Sequence, residues 1–213
     1  MRTLMRRRPL AYDAEAARSH LLKADPVMRG IIKRVGPLAI EARGEPYEAL
    51  LRSVLYQQLA GAAAAAIERR FLALFGGRIP RPEDLAAAPD EALRAAGISR
   101  QKASYMHSIA QHFASGELSN RALRRASDNE VIDAVTRIKG IGRWTADMLL
   151  MFCLGRPDVL PVGDLGVRNS MRAAYQMDDP PDAETMLQIG DAWRPYRSAG
   201  TWYLWRRGDL VTL

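Results

Sequence analysis

The stretch Val135-Thr136-Arg137-Ile138-Lys139-Gly140-Ile141-Gly142-Arg143-Trp144-Thr145-Ala146 decides how the chain is read. It joins two helices through a Gly-x-Gly turn. Upstream, Ser127-Asp128-Asn129-Glu130 has the form of a capping box, in which serine accepts from the third amide and glutamate reaches back to the cap. The helix opened there is expected to run to about Ile138, and a second to begin at about Arg143. Gly140 and Gly142 can take backbone angles that are costly for other residues, and they leave the amides of the turn uncovered. Those amides, with the positive end of the second helix, suit one phosphate oxygen. Lys139 and Arg143 add charge on either side, while Ile138 and Ile141 would anchor the turn in the core.

Working outward, nearly every other segment also reads as helix and none as a convincing strand. Asp25-Pro26 places an N-cap before a proline at the first helical position, and Gly36-Pro37 closes that helix. Apolar periodicity runs from Pro46 through Leu59 and again over 62–75, ending at Gly76-Gly77. Five alanines at 62–66 suggest close helix packing, or simply the base composition of the gene. Residues 99–115 form a longer helix with Tyr105, Ile109 and Phe113 on one face. Helices of this length with short turns make a compact all-α fold.

Composition narrows the function classes. The 213 residues suffice for one large domain or two small ones, and 48% hydrophobic residues can fill a core. A single cysteine, Cys153, rules out an intrachain disulfide framework, a Cys-rich zinc site and a cysteine-ligated cluster. His20, His107 and His112 lack metal-ligand spacing. A net charge of +7 favours polyanionic partners. No apolar run reaches membrane-spanning length, and the arginine-rich start lacks the apolar region of a secretion signal, so a cytoplasmic protein is expected. The first few residues are expected to fray.

Beyond the hairpin comes Leu160-Pro161-Val162-Gly163-Asp164-Leu165-Gly166-Val167-Arg168. Asp164 precedes an apolar-periodic helix and reads first as its N-cap. Hairpin and Gly-Asp loop together resemble the helix-hairpin-helix/GPD superfamily of base-excision DNA glycosylases. Three further segments extend the resemblance: Tyr56-Gln57-Gln58-Leu59-Ala60, Gly97-Ile98-Ser99-Arg100-Gln101-Lys102-Ala103, and Trp193-Arg194-Pro195-Tyr196-Arg197-Ser198 through Trp205. The last is similar to the 3-methyladenine DNA glycosylase II branch.

The resemblance implies two helical lobes with an active-site cleft between them: residues 41–156 carrying the hairpin, and residues 1–40 plus 157–213 completing the cleft. It implies double-stranded DNA containing damaged bases as partner, a monomer, nucleoid association through DNA binding, and no required cofactor. A structural Na or K ion could be held by the main-chain carbonyls of Thr136, Ile138 and Ile141. Leu59 would be the wedge entering the gap left by an extruded base, with Gln58 beside it. Lys139, Gly140, Gly142, Arg143 and Thr145 would hold DNA phosphate. Asp164 would be the catalytic carboxylate, stabilising positive charge on the sugar. Trp144, Trp205 and Met148 would line the base pocket.

Strand-cutting members carry a lysine where this chain has Trp144, and tryptophan cannot form their Schiff base, so the expected enzyme is monofunctional. Met148 and Arg206 stand where some relatives place aromatic residues, which implies a more open pocket. Two alternatives remain at this stage: a glycosylase for deaminated or oxidised bases, and a non-catalytic DNA-binding module using the hairpin alone. Plain core packing for Trp144 and Trp205, and an apolar helix stripe for Leu59, also stay open.

Overall fold

A computed structural model describes residues 6–59 and 61–211. The expected fraying of the first residues and the Ala60 end of the Gln-Gln segment lie outside these. In chain order the elements are β1 (Arg7–Arg8), α1 (Ala14–Ala24), α2 (Pro26–Val35), β2 (Ala42–Arg43), α3 (Pro46–Tyr56), α4 (Gly61–Leu74), α5 (Pro82–Ala86) and α6 (Asp90–Ala95). There follow α7 (Arg100–Ala114), α8 (Asn120–Arg125), α9 (Asp128–Thr136), α10 (Arg143–Phe152), α11 (Leu165–Ala174), α12 (Ala183–Asp191) and α13 (Arg197–Val211). The fold is therefore predominantly helical and two-lobed. Its sheet content among the described residues is one antiparallel pairing, Arg7 with Arg43 and Arg8 with Ala42. A two-residue pairing is too short to print a period-two pattern, which is why it could not be read from the sequence.

The two units are Met1–Arg43 with Leu150–Leu213, and Gly44–Leu149. The second crossing falls inside α10. No helix among the described residues is long and apolar enough to cross a membrane.

In the first unit, Leu21, Met28, Ile31, Ile32, Val167, Met171, Met186, Trp193, Tyr203 and Leu204 form one buried cluster. Asp25 ties it together. Its Oδ1 caps α2, accepting from the amides of Val27 at 2.8 Å and Met28 at 3.1 Å. Its Oδ2 accepts from the Trp193 indole at 2.9 Å and from the Tyr175 hydroxyl. Four donors make a buried carboxylate affordable where one or two would leave a desolvated charge.

In the second unit, α3 buries Leu50, Leu51, Val54 and Leu55, α7 buries Met106 and Ile109, and α9 buries Val131 and Val135. The alanine run behaves differently from the close packing expected of it. Only Ala64 among the five is buried, because the inward stripe of α4 continues through Phe71 and Leu72 instead.

Candidate functional site

The hairpin is built from both of its ends. At the start of α9 the capping box is complete, with the Ser127 amide donating to Glu130 Oε2 at 2.7 Å and the Glu130 amide to Ser127 Oγ at 3.4 Å. After Thr136 the chain tightens: the Ile138 amide donates to the Val135 carbonyl and the Ile141 amide to the Ile138 carbonyl, each at 3.1 Å. Ile138 and Ile141 are buried and pin the turn. The Ala146 amide then donates to the Gly142 carbonyl at 3.1 Å, which places Gly142 at the N-cap of α10.

The two glycines differ in what they need. Gly140 has φ +85°, and a Cβ there would stand 2.2 Å from Cγ of Tyr105. Gly142 lacks a left-handed φ, and a Cβ there would meet nothing within 4 Å. The expectation that both glycines serve the backbone thus holds for Gly140 alone. Gly142 is exposed, with open space beside it at the start of α10. Lys139 Nζ lies 3.0 Å from Ser104 Oγ. Arg143 is exposed, with Nε 2.9 Å from the buried Asp147 carboxylate. Burial pushes the Asp147 carboxyl above the ordinary aspartate range, and Arg143 partly offsets this. Thr145 is buried, so what it can offer a phosphate is its first-turn amide rather than its hydroxyl.

Asp164, 8% exposed, is the N-cap of α11. Its Oδ1 accepts from the Val167 amide at 2.8 Å and from the Trp205 indole at 3.0 Å. Capping is thus one real role of this residue, and it orients the carboxylate. Trp205 comes from α13, and its ring stacks on Phe152 with centroids 5.7 Å apart and an interplanar angle of 28°. Gly166 permits the approach: a Cβ there would stand 3.1 Å from Asp164 Oδ1 and 3.4 Å from Trp205 Cδ1. Sequence reasoning passed over both Phe152 and Gly166. The Asp-Leu-Gly spacing was the available signal for the glycine, since glycine is a poor helix former and its place in the first turn of α11 asks for a packing reason.

Leu59 lies beyond the end of α3, so the helix-stripe reading does not apply to it. The helix stops at Tyr56, Gln57 caps it, and Gln58 turns the chain with φ +55°. Leu59 is left 37% exposed. Trp144 in the first turn of α10 is 47% exposed, which excludes plain core packing. Met148, one turn on, shares its helix face and is half-buried. The structure therefore joins Asp164 to Trp205 in the first unit, and places the hairpin, Trp144, Met148, Gln58 and Leu59 in the second.

A Gly-x-Gly hairpin ahead of a buried, anchored aspartate is the pairing expected of the base-excision repair class. The chain matches the family described as HhH-GPD superfamily base excision DNA repair protein over residues 51–195, and it belongs to that superfamily. It is 38% identical over 200 residues to DNA-3-methyladenine glycosylase 1 of Schizosaccharomyces pombe, covering 92% of this chain and 88% of that protein. The solved structure of the S. pombe 3-methyladenine DNA glycosylase in complex with abasic DNA superposes with a TM-score of 0.80 at 38% identity, covering 89% of this chain and 95% of that one. A DNA-3-methyladenine glycosidase from Bacillus halodurans gives a TM-score of 0.84 at 35% identity, covering 98% and 94%.

Proposed function

We propose that the chain is a monofunctional DNA glycosylase that hydrolyses the N-glycosidic bond of alkylated bases, of the 3-methyladenine and 7-methylguanine type, extruded from double-stranded DNA. The observation that carries the reading is the Asp164 carboxylate, buried and held through Oδ1 by two neutral donors. Such a group stabilises the positive charge that develops on the sugar as the bond to the base breaks. Water adds at the anomeric carbon and its proton leaves to the carboxylate or to solvent. An alkylated purine carries positive charge before the reaction, so it departs as a neutral base with the bonding electrons and needs no strong general acid. Its cationic form also favours an aromatic face, such as the exposed Trp144 ring. The names of the S. pombe and B. halodurans relatives support this substrate class.

In this reading the amides of residues 143–145, with Lys139 and Arg143, take DNA phosphate, and Leu59 and Gln58 enter the space the base vacates. The hairpin carbonyls of Thr136, Ile138 and Ile141 are hard oxygen donors suited to a Na or K ion. The Ile138 oxygen accepts one hydrogen bond, from the Ile141 amide, and a carbonyl has a second lone pair for a cation. Bound there, the ion would add positive charge beside the phosphate. DNA binding would place the protein with the nucleoid.

The test is release of labelled bases from methylated DNA, with wild type beside Asp164→Asn. Asparagine caps as well as aspartate and keeps an oxygen for the Val167 and Trp205 donors, so stability should change by less than about 1 kcal/mol. Base release should fall by about 100-fold or more. Equal release by both proteins would refute the assignment. Borohydride trapping should yield no covalent protein–DNA adduct, and an adduct would overturn the monofunctional reading.

A further inference from the structure

We propose that Lys102 is a positioning residue for base extrusion: its ammonium ties down the end of α3 so that Gln58 and Leu59 project as a firm wedge. The inference rests on the glycosylase reading and extends it to a residue outside the expected DNA-contacting set. Lys102 Nζ donates to two main-chain carbonyls, Leu55 and Gln57, each at 2.8 Å. The last carbonyls of a helix have no partner within it, and a cation there also meets the negative end of the helix dipole. Burial lowers the affinity of this amine for its proton.

The next residue, Gln58, has a left-handed φ that non-glycine residues adopt uncommonly, and such a conformation persists where its surroundings hold it. The other ties sit just before it: the Tyr56 hydroxyl donates to Glu68 Oε2 of α4 at 2.8 Å, and Glu68 pairs with Arg52 at 3.2 Å. The connection is therefore secured toward α4 by Tyr56 and toward α7 by Lys102.

Helix α7 serves the hairpin as well. Lys102 lies in its first turn, with its own amide donating to the Ser99 cap at 3.3 Å. Two and three residues on, Ser104 meets Lys139 and the Tyr105 ring packs where Gly140 has no side chain. One rigid helix thus sets the spacing between the wedge and the phosphate-binding turn within the second unit. Extruding a base needs both footholds at once, because a wedge that yields cannot resist restacking of the duplex.

The experiment measures, for the full chain, affinity for an undamaged duplex and for the same duplex carrying an abasic-site analogue. Fluorescence of a 2-aminopurine opposite the abasic analogue reports how far the wedge unstacks the opposite base. Lys102→Met keeps the apolar stem and removes the donors. Its preference for the abasic duplex should fall by about tenfold, the effect of losing charge-assisted bonds, with undamaged-duplex affinity unchanged within about twofold. Lys102→Arg should restore most of the preference. Leu59→Ala should show the same defect, and adding Lys102→Met to it should cost little more. Lys102→Gln, whose shorter stem cannot span both carbonyls, should repeat the loss and guards against a folding defect in the Met variant.

A retained preference in both variants, or an equal loss of affinity for both duplexes, would overturn the positioning role. Full additivity with Leu59→Ala would overturn it as well. A wild type without any preference for the abasic duplex would overturn the glycosylase reading together with it, so the two failures are distinguishable.

Discussion

Gly142→Asp sets helix stability and DNA affinity in opposition. Gly142 stands at the N-cap of α10, its φ lies outside the left-handed region, and a Cβ there meets nothing within 4 Å. Aspartate is a better N-cap than glycine by a few tenths of a kcal/mol, so the variant should melt at or slightly above the wild-type temperature. The new carboxylate, however, occupies the approach to the amides of residues 143–145. A phosphate oxygen arriving at roughly 5 Å would meet a repulsion of about 3 kcal/mol at an effective dielectric of 20, less after screening by salt. Affinity for any duplex, damaged or not, should therefore weaken by roughly 10- to 100-fold. Fluorescence anisotropy across a salt series checks this, and the slope of log affinity against log salt should shrink by about one phosphate contact. A folded variant with unchanged affinity at physiological salt and an unchanged slope would refute the hairpin as the phosphate site.

Trp205→Phe removes the indole donor from Asp164 and leaves a ring able to stack on Phe152, so base release should fall by about tenfold with little change in melting temperature. Asp25→Ala strips the partner from two amides, the Trp193 indole and the Tyr175 hydroxyl, and urea unfolding should register a loss of about 3 kcal/mol or more. The raised Asp147 carboxyl means that the folded chain binds this proton more tightly than the unfolded chain does. Its contribution to stability therefore declines as pH rises from the ordinary aspartate range through the raised folded value, and Asp147→Asn should flatten that part of the stability profile.

Local chemistry made much of this protein readable. Ser127 with Glu130, Asp25 before Pro26 and Asp164 all cap the helices they were expected to open, because a cap depends on residues three or four positions away. Features that depend on distant partners were not readable. That Gly140 has no room for a side chain is set by Tyr105 on another helix. The bond between Asp164 and Trp205 spans 41 positions, and those from Lys102 to Leu55 and Gln57 span 47 and 45. Periodicity also overran the end of α3, since Leu59 continues the apolar rhythm although the backbone has already turned at Gln58. Hydrophobic spacing cannot distinguish a residue that continues a helix from one that merely keeps its beat.

The Tyr105 ring lying against Gly140 makes two positions answer for each other in variation. In a saturation library, position 140 should be closed to every side chain while 105 carries a ring, because the first carbon added would fall inside it. Shrinking residue 105 would open the space yet leave φ +85°, which favours glycine and, among the rest, asparagine. Tolerance at the turn is thus conditional on a helix 35 positions upstream, and a screen of position 140 alone would credit to phosphate binding what belongs to an aromatic ring.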